Sequence, residues 1–304
     1  MPALRSAFGD VLEPGFREIF DDSFKEVAMV GPKVFHENSS DKQDEKDSAI
    51  TGFGLLQLTG EAEVVDYEDP VQMYDKTYTH LKYTKGFKIS RELYEDDQYN
   101  VMKKKPAALG RAARRTVENE ASQVLNRAFN SSYVGGDSEE LCSTSHDRAD
   151  GGTAQSNASA TGITLTEANL ETGVLASRNQ LDDKGMKIDI MPNLLLVPIN
   201  LNKTAHLIVD SPLRQGTADN DANVYKSQFQ IIDWLYLTST TAWFLIDKSA
   251  HELNFFWRIR PEFKQDTTFD TDLALFKVRT RFSLGWSDWR GVWGSKGDGS
   301  AYSG

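Results

Sequence analysis

Apolar and polar positions alternate through Thr77–Ser90, with Tyr83, Lys85, Phe87 and Ile89 on one side. A period of two with that mixture predicts a half-exposed strand. Ser90 then reads as a helix cap, with Leu93 and Tyr94 opening an apolar face. Lys103–Lys105 interrupts it, and Pro106 suits the first turn of a new helix. From Ala107 to Phe129 the period changes. Leu109, Ala113, Val117, Ala121, Val124, Leu125 and Ala128 recur at three- and four-residue steps. That predicts one long amphipathic helix, with Arg111, Arg114, Arg115, Glu118, Glu120 and Arg127 covering most of the rest.

The flanks follow the same logic. Phe16, Phe20 and Phe24 lie four apart and predict a short amphipathic helix. His36–Ser48 is polar and charged; alone it reads as disordered, and beside a neighbour as an arm ordered by contact. Residues 51–90 read as a long hairpin. Leu56, Leu58 and Gly60–Val65 supply the outgoing strand, Asp66–Asp75 with Pro70 the polar tip, and Tyr78–Ile89 the return. An isolated two-stranded ribbon is marginal in water, so a long one implies something to lie on.

Residues 131–165 are rich in Gly, Ser and Asn and predict a loop-rich connection. Thr164 or Thr166 caps a helix reaching about Leu181, with Leu170, Val174, Leu175 and Leu181 inward and Lys184-Gly185 at its end. Asn193–Pro198 predicts a buried strand, and a helix follows near Leu201–Val209. Residues 211–223 form a polar loop, and Ile231–Leu237 and Ala242–Asp247 two further strands. Leu253–Arg260 and Leu273–Ser283 alternate strongly and predict long strands. The fold class is α+β, helices packed on sheet.

Composition narrows the function. A chain of 304 residues, 39% hydrophobic and 26% charged, buries a sizeable core in one or two domains. A net charge of −11 with pI near 5.0 argues against a dedicated nucleic-acid binder, though not against a shell enclosing DNA. The single cysteine, Cys142, excludes an intrachain disulfide and fits a reducing compartment. No signal peptide and no membrane span are expected.

Candidate chemistry is sparse. Cys142 with His146 is the best nucleophile–base pair, though a plain loop explains both. His251-Glu252 opens like a zinc-protease signature, but Phe255 stands where the second histidine belongs. The histidines at 36, 80, 146, 206 and 251 are scattered. Gly52-Phe-Gly54 lacks the third glycine and the helix of a dinucleotide site. Glu95–Asp97 and Asp182-Asp183 lack the spacing of a cation loop and read as solvated charge. Trp286, Trp289 and Trp293 read as core or interface rather than a sugar platform. Lys103–Lys105 with Arg111, Arg114 and Arg115 is the notable basic cluster. Its two uses are phosphate contact and pairing with Glu61, Glu63, Asp66, Glu68 and Asp69 of a neighbour's hairpin, the second being favoured. The expectation is therefore no catalytic, cofactor-binding or metal-ligating residue, no cofactor and no enzyme.

Lys85-Gly-Phe-Lys-Ile-Ser-Arg-Glu-Leu-Tyr-Glu-Asp-Asp97 followed by Ala108–Glu118 resembles the major capsid proteins of tailed bacteriophages, and more nearly the Mu-type major head subunits with the Hong Kong 97 fold. Leu141–His146, Leu194–Pro198, Trp243–Asp247 and Asp288–Gly294 match further landmarks in order, so the resemblance spans about Gly52 to Ser295. It implies an N-terminal arm at 1–50 and an E-loop hairpin at 51–90. A P-domain would take 91–165 and 250–287, with a spine helix at about 107–129. An A-domain would take 166–249 and 288–304, with the 215–223 loop at its tip.

The implied function is a structural virion protein. Hexamers and pentamers of the chain would close into an icosahedral shell around double-stranded DNA, assembled in the host cytoplasm. Implied partners are other copies of the chain, a scaffolding protein, a portal protein at one vertex, a decoration protein and packaged DNA, with no membrane. About fifty residues precede the hairpin, so a separate scaffolding protein is expected. Some relatives crosslink through a hairpin lysine; Lys76, Lys82 and Lys85 lie in that region, but no partner aligns and no crosslink is expected. An encapsulin-like compartment shell and a Cys142-dependent enzyme are the alternatives.

Overall fold

The computed structural model describes residues 7–90, 92–93, 96, 101–148, 150–213, 222–268 and 273–302, with backbone alone at 7–13 and 101. Most of the 215–223 loop, and two of the three residues of Glu95–Asp97, lie outside the described residues. The elements are α1 (Ala7–Lys25), α2 (Gly31–Val34), β1 (His36–Ser39), β2 (Asp44–Ile50), β3 (Gln72–Thr79), β4 (Leu81–Ser90) and α3 (Val101–Asn126). They continue with α4 (Glu167–Arg178), β5 (Leu194–Val197), α5 (Asn202–Val209), β6 (Gln230–Asp233), β7 (Trp243–Ile246), β8 (Leu253–Thr268), β9 (Leu273–Trp286) and β10 (Val292–Ser295). The chain divides into two compact units built from interleaved segments.

The first unit comprises residues through Glu45, Tyr78–Ala121 and Phe255–Leu284. Its sheet has the order β1-β8-β9-β4, four strands among the described residues. β4 and β9 pair antiparallel from Leu81↔Phe282 to Ser90↔Leu273. The alternation seen in sequence is explained here. Phe87 stacks on Phe276 at 5.0 Å, Phe263 on Phe276 at 5.8 Å, and Ile89, Ala274 and Val278 are buried beside them. The phenylalanines of α1 close the core: Phe16 meets Phe276 at 5.2 Å and Phe20 meets Phe263 at 5.4 Å. The apolar stripe of α3 is buried at Leu109, Ala113, Val117 and Ala121. Gly110 lets α1 approach, because a Cβ there would stand 2.5 Å from the Phe20 carbonyl oxygen.

Three expectations are corrected. α3 starts by Val101 and encloses Pro106 instead of opening on it. The proline forgoes one backbone donor, and the flanking Lys and Ala residues, all good helix formers, carry the helix through. His36–Ser48 is not disordered: it forms β1 and most of β2. Its charges find partners on β8, where Trp257 Nε1 and Arg260 Nη2 donate to Glu37 Oε1 at 2.6 and 2.8 Å. Ser40 N adds a bond to the Trp257 carbonyl at 2.9 Å.

The ribbon is also placed differently. Its outgoing strand is β2, paired with β3, and not Leu56–Val65. Residues 51–71 are irregular around a turn at Glu61–Ala62. The expected return strand is two strands, β3 and β4, broken at buried His80. His80 Nε2 lies 3.1 Å from Ser40 Oγ and Nδ1 lies 3.0 Å from Ser283 Oγ. A period of two reads identically on both sides of such a break, so the pattern could not reveal it.

The second unit comprises Lys46–Thr77, Ser122–Asn254 and Gly285 to the C-terminus. Its sheet has the order β10-β7-β5-β6, with β5 parallel to β6 and antiparallel to β7. The apolar run Leu194–Val197 is buried on both faces, as expected of a central strand. Leu195, Val197, Trp243, Leu245 and Trp293 form the core with Leu170, Ala205 and Val209 from α4 and α5. Thr166 caps α4, its side chain accepting from Asn169 N at 3.2 Å. The helix stops at Arg178, short of Leu181, and leaves Leu175 exposed.

Candidate functional site

The nucleophile–base pair does not assemble. Cys142 is fully buried, its sulfur against Gly294, where an added Cβ would stand 2.8 Å from Sγ. Burial first, and then the Glu140 charge, push its thiol far above the usual range, away from the thiolate a nucleophile needs. Both ring nitrogens of His146 are occupied elsewhere. Nδ1 lies 2.7 Å from Asp137 Oδ2, Nε2 lies 3.0 Å from Asn157 Oδ1, and the ring stacks on Trp289 at 4.2 Å.

The remaining candidates are placed in the framework. His251 Nδ1 accepts from Leu253 N at 3.0 Å. Asp182 accepts from the backbone of Lys184 and Met186, and Asp183 pairs with Arg290 at 2.8 Å. Trp286, Trp289 and Trp293 are all buried. Arg111 pairs with Glu26 at 3.8 Å, and Lys105 Nζ donates to the Lys88 carbonyl at 3.4 Å. No group of His, Cys, Asp and Glu able to hold a metal exists among the described residues. Among them, too, no helix is long and apolar enough to cross a membrane.

What stands out instead is a surface. Every residue from Leu55 to Gln72 is exposed. Leu56 and Leu58 are 100% and 102% exposed, and Leu55, Val64 and Tyr67 exceed 80%. Large apolar side chains in one contiguous bare segment mark an interaction surface. The segment is also acidic: Glu61, Glu63, Asp66, Glu68 and Asp69 fall in it, and no Lys, Arg or His lies between Thr51 and Asp75.

The loop is shaped by its own bonds. Thr51 N donates to the Val71 carbonyl at 3.0 Å, and Val71 N to Thr51 Oγ1 at 2.9 Å, closing its base. Gly54 N donates to Glu68 Oε2 at 2.7 Å and Gln57 Nε2 to Asp66 Oδ2 at 3.2 Å, crossing between its limbs. At the tip Gly60 N donates to Glu63 Oε2 at 2.7 Å. Lys184 pairs with Glu68. Below the base, half-buried Lys76 sits over Trp286 at 5.0 Å and donates to the Val134 carbonyl at 3.0 Å. Burial lowers its pKa against the opposing pull of Asp137. Sequence reading placed an extended appendage here but mistook its apolar residues for a strand. The missing base in a segment of bare leucines and valines was the available signal.

No curated protein matches the chain. Among solved structures, the bacteriophage JBD30 capsid is similar at 16% identity, with 70% of this chain and 92% of that chain covered and a TM-score of 0.58. The capsid of cyanophage P-SCSP1u is similar at 9% identity, covering 88% and 87%, with a TM-score of 0.58. A virus-like particle from Pyrococcus furiosus is similar at 10% identity, covering 92% and 97%, with a TM-score of 0.56. At these identities the likeness is one of fold, the mixed α+β capsid fold. The family described as phage capsid protein matches residues 74–295. That is well over half of the chain, which therefore belongs to the phage capsid protein family.

Proposed function

We propose that the chain is the major capsid subunit of a tailed phage, forming hexamers and pentamers that close into an icosahedral shell around double-stranded DNA. The observation that carries this, beside family membership, is the bare acidic and apolar loop at 51–71. An unpartnered surface of that kind is completed by another molecule. The mechanism is mechanical and no catalysis is involved. The first unit supplies the P-domain with α3 as its spine, the second supplies the A-domain, and the ribbon with its loop is the E-loop that overlaps a neighbour. Other partners are a scaffolding protein, a portal protein, a decoration protein and packaged DNA held without sequence preference. Lys76 is committed to Trp286 and Val134, so particles boiled in detergent run as monomers on a denaturing gel. The location is the virion.

Electron microscopy with light scattering on the purified protein tests this. Closed particles, or free hexamers and pentamers, are expected; a monodisperse monomer even with scaffold added would overturn it. The likeness to the virus-like particle favours one second reading, a compartment shell without DNA. Particles holding protein cargo and no nucleic acid would select it.

A further inference from the structure

Assembly through residues 51–71 makes no use of the basic cluster on α3. Between Asp97 and Glu118 the chain carries six bases, Lys103–Lys105, Arg111, Arg114 and Arg115, and no acid. The helix turns them into a stripe. Met102, Leu109, Ala113 and Val117 take the buried side, so Lys103, Lys104, Arg111, Arg114 and Arg115 gather on one flank away from it. From Lys103 to Arg115 the stripe runs about 18 Å, at roughly 1.5 Å per residue. Lys103, Lys104 and Arg115 are exposed and have no carboxylate partner among the described residues. Arg114 Nε has no hydrogen-bond partner among them either. Glu26 reaches Arg111 only at 3.8 Å.

Two occupants have the charge to match the stripe, a phosphate backbone and the acidic segment 51–71 of another copy, and the geometry separates them. That segment bears leucines, valines and a tyrosine with nothing on them, and it needs an apolar receptor. Beside the bases on this flank stand only Ala107, Ala108 and Ala112, too small to cover such side chains. A duplex needs no apolar cover. It presents about one negative charge per 1.7 Å of its axis, so roughly ten along the length of the stripe, and the alanines let it lie close. We propose that the Lys103–Arg115 stripe of α3 holds the phosphate backbone of packaged double-stranded DNA, with no nucleobase read. The inference rests on the shell-subunit reading and assigns to named residues a contact which that reading leaves without a surface. In a chain of net charge −11 a few phosphate contacts per copy bind weakly, and the sum over many copies retains the DNA. Contacts this weak singly also leave the duplex free to slide as it enters.

A salt titration of duplex binding by the dispersed full-length chain tests it, with a short DNA of mixed sequence as the probe. The unaltered chain should bind with an affinity that falls steeply as salt rises and does not depend on sequence. K103A/K104A/R115A should keep its circular dichroism, alanine being the best helix former, and lose at least tenfold in affinity. Its slope of log affinity against log salt should be shallower by about 2.7, at roughly 0.9 for each phosphate contact removed. R115A alone should make the slope shallower by about 0.9, which keeps the test open if the triple variant folds poorly. An unaltered chain that binds no duplex at low salt, or variants with unchanged affinity and slope, would overturn the proposal and leave the shell reading standing. A folded triple variant that binds duplex normally but forms no particles would assign the stripe to a second copy and also overturn it. An unaltered chain that binds duplex as described but never assembles would overturn the shell reading alone.

Discussion

Two irregular stretches of the second unit solve the same problem in opposite ways. Residues 137–158 and 51–71 both lack regular strands or helices over most of their length, and each must satisfy its backbone by other means. The first is pinned from within. Asn157 Nδ2 donates to the carbonyls of Leu141 at 2.7 Å and Val292 at 3.1 Å, and its Oδ1 accepts from Ser143 N at 2.8 Å. His146 and Gln155 exchange backbone bonds at 2.8 Å, and Tyr302 donates to the Cys142 carbonyl at 2.7 Å. The second stretch bonds mainly across its own limbs and buries almost nothing. The first stretch is tied into its own subunit at Leu141, Cys142 and Asn157, whereas the second leaves its large apolar side chains bare.

The largest effect expected from this contrast is on assembly. Replacing Leu55, Leu56 and Leu58 with serine should abolish particles while changing subunit stability by less than about 0.5 kcal/mol, because side chains this exposed lose nothing on truncation. Sedimentation and urea titration of the same sample read both quantities. Particles forming normally would break the comparison at its bare end.

Asn157→Ala should do the reverse. It strands several buried groups at once and should cost about 3 kcal/mol, at roughly 1–3 kcal/mol for a stranded buried group, seen as a lower urea midpoint. A change below about 1 kcal/mol would show that the pinned stretch is not held as described. Cys142 sharpens the same point. With its thiol buried and its pKa raised, alkylation at pH 8 should be about 100-fold slower than for a free thiol until the subunit unfolds.

The smallest expected effect is a pH dependence in the first unit. Ser40 Oγ donates to Glu45 Oε1 at 2.6 Å, so it accepts from His80 Nε2–H, and Nδ1 lies 3.0 Å from the Ser283 hydroxyl. Burial first, and then the Arg281 charge, hold the His80 pKa below its ordinary 6.5, against the attraction of Glu45. The unfolded chain therefore takes up a proton that the folded chain refuses. Stability is intact above pH 6.5 and falls as pH drops below it. Melting temperature measured from pH 7 to pH 5 should decline, and His80→Gln should flatten that decline.

Much of this was legible in the sequence because it rests on period. The stripe of α3, the phenylalanines of α1, the buried run of β5 and the alternation of β8 and β9 are each a face repeated in register. The ribbon was legible only as an extended appendage. Its strands are the charged Asp44–Ile50 and the mixed Gln72–Thr79, whereas the leucines that resemble a strand lie in the loop between them. A bare strand and a bare loop bury too little to impose a pattern. The His80 and His146 contacts were illegible for another reason. They join residues far apart in the chain, such as Ser40 with Ser283, through single polar atoms that leave no periodic trace.

The most direct test is amide hydrogen exchange across residues 51–71, compared between assembled particles and dispersed subunits. Completion by another copy predicts fast exchange in subunits and strong protection in particles, with the buried residues 140–143 and 157–158 protected in both. Fast exchange of 51–71 in particles would contradict the account, since the loop would then be as bare in the assembly as it is in the single chain.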